Sequence, residues 1–405
     1  MKTKKESNYR AYKYRIYPNK EQENLFAQHF GCTRFVYNWA LKKKTEAYEK
    51  DKTNLSIFSL KSEMAKTLKK EYTWLTDVNS QSLQASLLNL DTAFKKFFKK
   101  EVDFPKFKSK KKNINSFQVP QHTSINFENQ KLNLPKIKNI KIILHRQFDG
   151  VIKTVTIKKT PTNKYFASIL VENNQVKPAK EDIKLETTIG IDVGIKHFAT
   201  FSNGQKIDNP RTLKKHEPRL KVLQKRLSRK QKGSNNRVKA RLKVALKHEK
   251  ITNIRQDFLH KTSHKLTHDN QVSSVAREDL AISNMLKNHK LAKAIADVSW
   301  SKFYEFLAYK CNWNGKNELI IGRFEASSKL CSVCNYKNQD LTLTTRDWQC
   351  PICNSKHDRD VNAAVNIRNF AINNYKTRQE LPEELGELST IVEAMNQEAF
   401  AFRQG

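Results

Sequence analysis

Residues 187–204 read TTIGIDVGIKHFATFSNG, and their pattern decides the fold. Ile189, Ile191 and Val193 describe a buried strand, Gly194 a tight turn, and the residues that follow a second strand. In the middle of the first strand stands Asp192. A carboxylate in a buried apolar strand is costly unless it is paired or binds a cation. The stretch therefore predicts an α/β domain with chemistry at a strand end.

The whole chain of 405 residues carries 76 Lys+Arg against 40 Asp+Glu, a formal net charge of +36. An excess of that size repels itself unless a polyanion neutralises it, which points to nucleic acid. An anionic membrane is the other polyanion to weigh. No run of about eighteen apolar residues exists, so a soluble cytoplasmic protein is expected, nucleoid-associated in a prokaryote. A hydrophobic content of 38% suffices for packed cores over two or three domains.

Downstream of residue 204, a long basic helical stretch covers 211–266, broken by a turn at Gly233. Leu220, Leu223 and Leu227 share one face, and Val238, Leu242 and Leu246 share another. Arg226, Arg229, Lys230, Arg237 and Arg241 stand among the cations expected to lie along a phosphate backbone. A strand around QVSSVAREDLAI (271–282) ends near Glu278 and Asp279. A helix is expected around Trp300, Phe303 and Leu307, then a strand at NELII (317–321).

Four of the six cysteines then cluster. Cys331-x-x-Cys334 and Cys350-x-x-Cys353 are fifteen residues apart, the spacing of a zinc ribbon holding one structural Zn²⁺. Four thiolates fill the coordination sphere, so this metal is no catalyst. His357 reads as a strand-end histidine, and Cys32 and Cys311 as buried apolar residues. The ribbon runs straight into DRDVNAAVNI, where Asp358 and Asp360 precede a helix. Asp358, Asp360 and Asp279 are each credible helix caps taken singly. Together with Asp192 and Glu278, Asp360 suggests three carboxylates around two Mg²⁺ ions, an arrangement suited to phosphodiester hydrolysis.

Upstream, YRAYKYRIY (9–17) alternates as a strand ending at Pro18. Helical periodicity follows from Glu21 to about Lys70, and again where Leu83, Leu87, Leu90, Phe94 and Phe97 form an apolar stripe. In FPKFKSKKKNINSF (104–117), Lys106, Lys108 and Lys110 alternate with aromatics, as in a strand-binding loop. Residues 131–174 read as strands that, with 9–17, close a small β-barrel into which the helices are inserted. Residues 175–186 read as a linker.

IGIDVGIKHFAT, AREDLAI and CPICNSKHDRDVNAAVNI resemble the three split RuvC-like motifs of the TnpB family, transposon-encoded RNA-guided DNA endonucleases. YKYRIYPNKEQ, FPKFKSKKK and LSRKQKGSNNRVKARLKVALKHEKI resemble the same family, so the likeness spans nearly the whole chain. The resemblance implies Asp192, Glu278 rather than Asp279, and Asp360 rather than Asp358 as the catalytic, magnesium-binding carboxylates. Arg359 is implied to position the scissile phosphate, and the cysteines to form a target-nucleic-acid-binding module.

The implied architecture is bilobed. A wedge-like β-barrel spans 1–18 and 120–186, with a helical recognition insertion at 19–119. An RNase H-like RuvC domain spans 187–326 and 357–376, interrupted by the zinc ribbon at 327–356 and followed by a mobile tail, 377–405. The implied partners are a guide RNA from the transposon end and double-stranded target DNA, beside a short flanking motif, with the protein a monomer. A strand-transferring transposase, a non-cutting RNA-guided regulator and a ribbon-type RNA-binding protein are the competing readings.

Overall fold

The computed structural model describes residues 8–111, 115–173, 176–323, 325–342 and 344–380. Most of the tail, 381–405, lies outside the described residues; 377–380 are the end of a helix. The chain divides into two compact units, residues 1–176 and 177–405.

In the first unit β1 (Asn8–Tyr17) ends at Pro18. Helix α1 (Lys20–Asp51) starts there because Asn19 caps it. The Asn19 side chain accepts from the Gln22 N–H at 2.8 Å, and the Gln22 side chain accepts from the Asn19 N–H at 2.9 Å. Helices α2 (Ile57–Glu63), α3 (Lys69–Glu71) and α4 (Ser80–Phe98) follow. The predicted stripe works as expected: Leu83, Leu87, Leu90 and Phe94 are buried against Val36, Leu41 and Leu60. Phe97 is half-buried at the edge.

Strands β2 (Asn115–Val119), β3 (Ser124–Asn126), β4 (Lys131–Leu134), β5 (Ile137–Ile143), β6 (Val151–Lys159) and β7 (Tyr165–Asn173) join β1 in one sheet. Its order is β2-β6-β7-β1-β5-β4-β3. The helical insertion expected over 19–119 thus ends earlier, since β2 pairs with β6. The sheet is curled into a half-barrel: among the described residues its edge strands β2 and β3 do not pair with each other.

The second unit is built on β8 (Thr188–Val193), β9 (His197–Phe201), β10 (Lys206–Asp208), β11 (Ser274–Glu278) and β12 (Asn317–Ile321). The sheet order is β10-β9-β8-β11-β12. The first three strands are antiparallel, and β11 lies parallel between β8 and β12. Helices α5 (Thr212–Ser228) and α6 (Asn235–Thr267) form the expected basic hairpin about Gly233, whose φ is +89°. After β11 come α7 (Ile282–Met285), α8 (Ala292–Val298) and α9 (Trp300–Trp313), and after β12 the strands β13 (Asp347–Gln349) and β14 (Lys356–Asp358). Helix α10 (Arg359–Glu380) closes the unit.

Strand alternation sorts the two faces of this sheet. Ile189, Ile191 and Val275 pack with Phe303 and Leu307 of α9 and Leu259 of α6. Ala276 and Ile321 pack with Ile367 and Ala371 of α10. Gly190, which pairs with Ala276, meets α10 so closely that a Cβ there would sit 2.0 Å from the Ala364 carbonyl oxygen. Only glycine lets the helix lie against β8. Gly190→Ala is expected to destabilise this unit by roughly 3 kcal/mol through overpacking against backbone. A lowered melting transition checks it.

Candidate active site and cysteine centre

The same alternation brings the carboxylates together. Asp192 follows Gly190 by two residues, and Glu278 follows Ala276 by two, so both project from the face that α10 covers. The last registered pair of these parallel strands is Arg277 with Ile191, which leaves Asp192 and Glu278 side by side one step later. Asp360 stands in the first turn of α10.

The electrostatics agree. Burial, then the charges of Glu278 and Asp360, push the Asp192 carboxyl up to about 8, with Arg359 opposing. Glu278 is also raised, chiefly by burial, while a hydrogen bond from Ser327 works the other way. Three half-buried carboxylates whose charges bear on one another are the donor set a hard divalent cation takes.

The neighbouring acids are already engaged. Asp279 forms an ion pair with Arg323 at 2.6 Å. Asp358 accepts from the N–H groups of Asp360 and Val361 at 3.1 and 3.0 Å, which makes it the cap of α10, and pairs with Lys206 at 2.5 Å. Arg359 is buried and donates to the Thr342 carbonyl at 2.6 Å, which ties α10 to the cysteine module. Two residues that the sequence reading missed shape the site. Arg346 pairs with Asp360 at 3.0 Å, and the Ser327 hydroxyl donates to Glu278 at 2.5 Å. Neither lies in a motif that would mark it.

The four cysteine sulfurs lie within 4.8 Å of one another, and none is in a disulfide. Two cross-knuckle pairs, Cys331–Cys353 and Cys334–Cys350, are 3.6 and 3.5 Å apart. Tetrahedral zinc–thiolate bonds of about 2.3 Å put sulfurs about 3.8 Å apart, so the set fits one Zn²⁺. Each knuckle closes on an asparagine in the left-handed region, Asn335 at φ 59° and Asn354 at φ 60°. His357 lies in β14 as a strand residue, its Nε2 3.1 Å from Cys331 Sγ. Strand β14 then runs directly into α10, so the second cysteine knuckle leads straight into the start of the helix that carries Asp360.

The predicted nucleic-acid contacts divide. Arg226, Arg229, Lys230, Arg241, Lys106 and Lys110 are exposed. Arg237 instead donates to the Leu227 and Lys230 carbonyls at 3.0 and 2.8 Å, closing the end of α5. Lys108 is half-buried, with its ammonium 3.7 Å from the centre of the Tyr37 ring and its backbone held on both sides by Asn38. Val238 and Leu246 are exposed, so the apolar face expected on α6 is buried only in part.

Comparison with known proteins places this geometry. The solved Cas12f1–sgRNA–target DNA complex matches with a TM-score of 0.57 at 14% identity, over 90% of this chain and 99% of that one. The chain thus has the mixed α/β fold of the Cas12f effectors. It belongs to the TnpB family, also called OrfB_IS605. The family model described as "Probable transposase" matches residues 168–289, a helix-turn-helix model matches 8–53, and a Cas12f1-like TNB domain model matches 300–367. A Streptomyces pristinaespiralis protein provisionally named RNA-guided DNA endonuclease is 40% identical over 88% of each chain. Escherichia coli K12 InsQ, provisionally named likewise, is 31% identical over 88% of this chain and 91% of its own. Among the described residues no helix is long and apolar enough to cross a membrane.

Proposed function

We propose that the chain is an RNA-guided DNA endonuclease that cuts at Asp192, Glu278 and Asp360. One observation carries the reading: Asp192, half-buried at the end of β8, stands beside two further carboxylates whose charges help raise its pKa, a cost that a bound cation relieves. The order of β8–β12 supports an RNase H-like, RuvC-type domain in the second unit. Asp192, Glu278 and Asp360 would hold two magnesium ions, which when bound supply Lewis acidity toward a phosphodiester. Arg346 restrains Asp360, and Ser327 restrains Glu278. Arg359 orders the start of α10 and lends positive charge beside the site, where a scissile phosphate would lie.

The four cysteines hold a structural zinc. Exposed cations on α5 and α6, with Lys106 and Lys110, would take the phosphates of a guide RNA from the transposon end and of double-stranded target DNA beside a short flanking motif. The working species is a monomer, in the cytoplasm with the nucleoid.

Paired substitutions test the site. Glu278→Gln and Asp360→Asn are expected to slow guided cutting about a hundredfold or more, whereas Asp279→Asn and Asp358→Asn change it within about tenfold. Cutting rates of the guide-bound protein on a matched plasmid decide this. Equal losses from all four would remove the assignment.

A further inference from the structure

The site's least expected partner is Ser327. It stands four residues before Cys331, is 6% exposed, and donates its hydroxyl to Glu278 at 2.5 Å. Two buried asparagines one turn apart on α10 hold this segment in place. Asn366 donates to the Ser327 and Leu330 carbonyls, each at 2.7 Å. Asn362 donates to the Leu330 carbonyl at 2.7 Å and accepts from the Ser332 N–H at 2.9 Å. The first cysteine knuckle is thereby locked to α10, and the same lock sets the position of a hydroxyl on a carboxylate.

A side-chain amide bonded to backbone carbonyls inside a core fixes register, because the alternative is a buried unsatisfied group. Neither asparagine packs as an apolar helix residue would, and neither reaches the carboxylates itself. Their effect on the site passes through Ser327. A carboxylate held by an outer hydrogen bond presents its remaining lone pairs in one orientation, which is how outer partners tune metal ligands.

Resting on the carboxylate-site reading above, we propose that Ser327 is a positioning residue for Glu278. Through Asn362 and Asn366 it couples the order of the cysteine module to divalent-metal uptake at Asp192, Glu278 and Asp360.

The test is Mn²⁺ binding to the full chain stripped of RNA, followed by the electron paramagnetic resonance of free Mn²⁺, with Asp192→Ala as the background. Ser327→Ala is expected to weaken site binding about tenfold, the usual effect of an outer-partner loss. It should leave zinc content unchanged, and Ser327→Thr, which keeps the hydroxyl, should restore binding to within about threefold. Cys350→Ser, which disorders the module and frees the start of α10 that carries Asp360, should weaken Mn²⁺ binding at least as much as Ser327→Ala does. Ser327→Ala binding Mn²⁺ like the parent, with both above the Asp192→Ala background, would overturn the coupling alone. A parent no better than Asp192→Ala would overturn the carboxylate site itself. If Ser327→Ala fails to fold, the Ser327→Thr and Cys350→Ser measurements decide by the same criteria.

Discussion

Asp192→Asn is expected to bind guide and target as the parent does, yet cut at least about a thousandfold more slowly. It should also be the more stable protein when no metal is present. The sign follows from protonation. The Asp192 carboxyl lies at about 8 in the folded chain against an ordinary 3.8. Between those values the folded state keeps a proton that the unfolded state has released. Stability therefore falls as pH rises through that window, and the loss is complete once pH exceeds about 8. Asparagine fills the same space and has no such loss. Melting curves in a chelator should show the variant gaining roughly 5 °C at pH 9 and little at pH 5. An equal gain at both pH values would mean that Asp192 is not held as a buried acid. Ordinary cutting by the variant would mean that the site lies elsewhere.

If the cysteines hold zinc, as proposed, removing it is expected to have the second large effect. The apolar cluster of the cysteine module consists of Cys331, Leu341, Trp348 and Cys350, with Cys334 and Cys353 at its edge. That is little burial to order a segment of this length, so the proposed zinc is expected to supply much of the folding free energy, roughly 10 kcal/mol in comparable modules. Chelation, or Cys350→Ser, is expected to leave residues 331–358 unprotected from amide hydrogen exchange while residues 8–173 stay protected. Cutting is expected to be lost along with it, because β14 no longer leads α10 into register and Asp358 no longer caps it. Full protection of 331–358 without zinc would show that the cysteines are not a metal centre. The requirement should sharpen in acid, since thiols must lose their protons to bind the metal.

Asp192 and the cysteines stood out in the sequence because each departs from ordinary packing, whereas the choice of Glu278 over Asp279 and of Asp360 over Asp358 came only from the family resemblance. Asp192 interrupts an apolar strand, and Cys-x-x-Cys recurs at ligand spacing. The long helices and β5 to β7 were legible from clean periodicity. The rest was hidden for physical reasons. Strands β2 and β3 are only five and three residues long, too short to carry an alternation strong enough to see. The place of β2 is set by β6, about forty residues on. Lys108 and Arg237 belong to basic runs whose charge announces phosphate, yet a ring beside the one and open carbonyls beside the other claim them first. Ser327, Arg346 and the α10 asparagines act through contacts across 14 to 49 residues of sequence, which no local pattern encodes.

The most direct test of the central claim is to purify the protein from cells carrying its native transposon end and sequence the RNA that comes with it. The complex is then offered plasmids that match that RNA, beside a randomised flank, with and without Mg²⁺. The account predicts one bound RNA species and magnesium-dependent double-strand cuts, confined to matched plasmids with one flanking motif. Bound RNA without cutting, or cut and joined products that ignore the RNA, would contradict it.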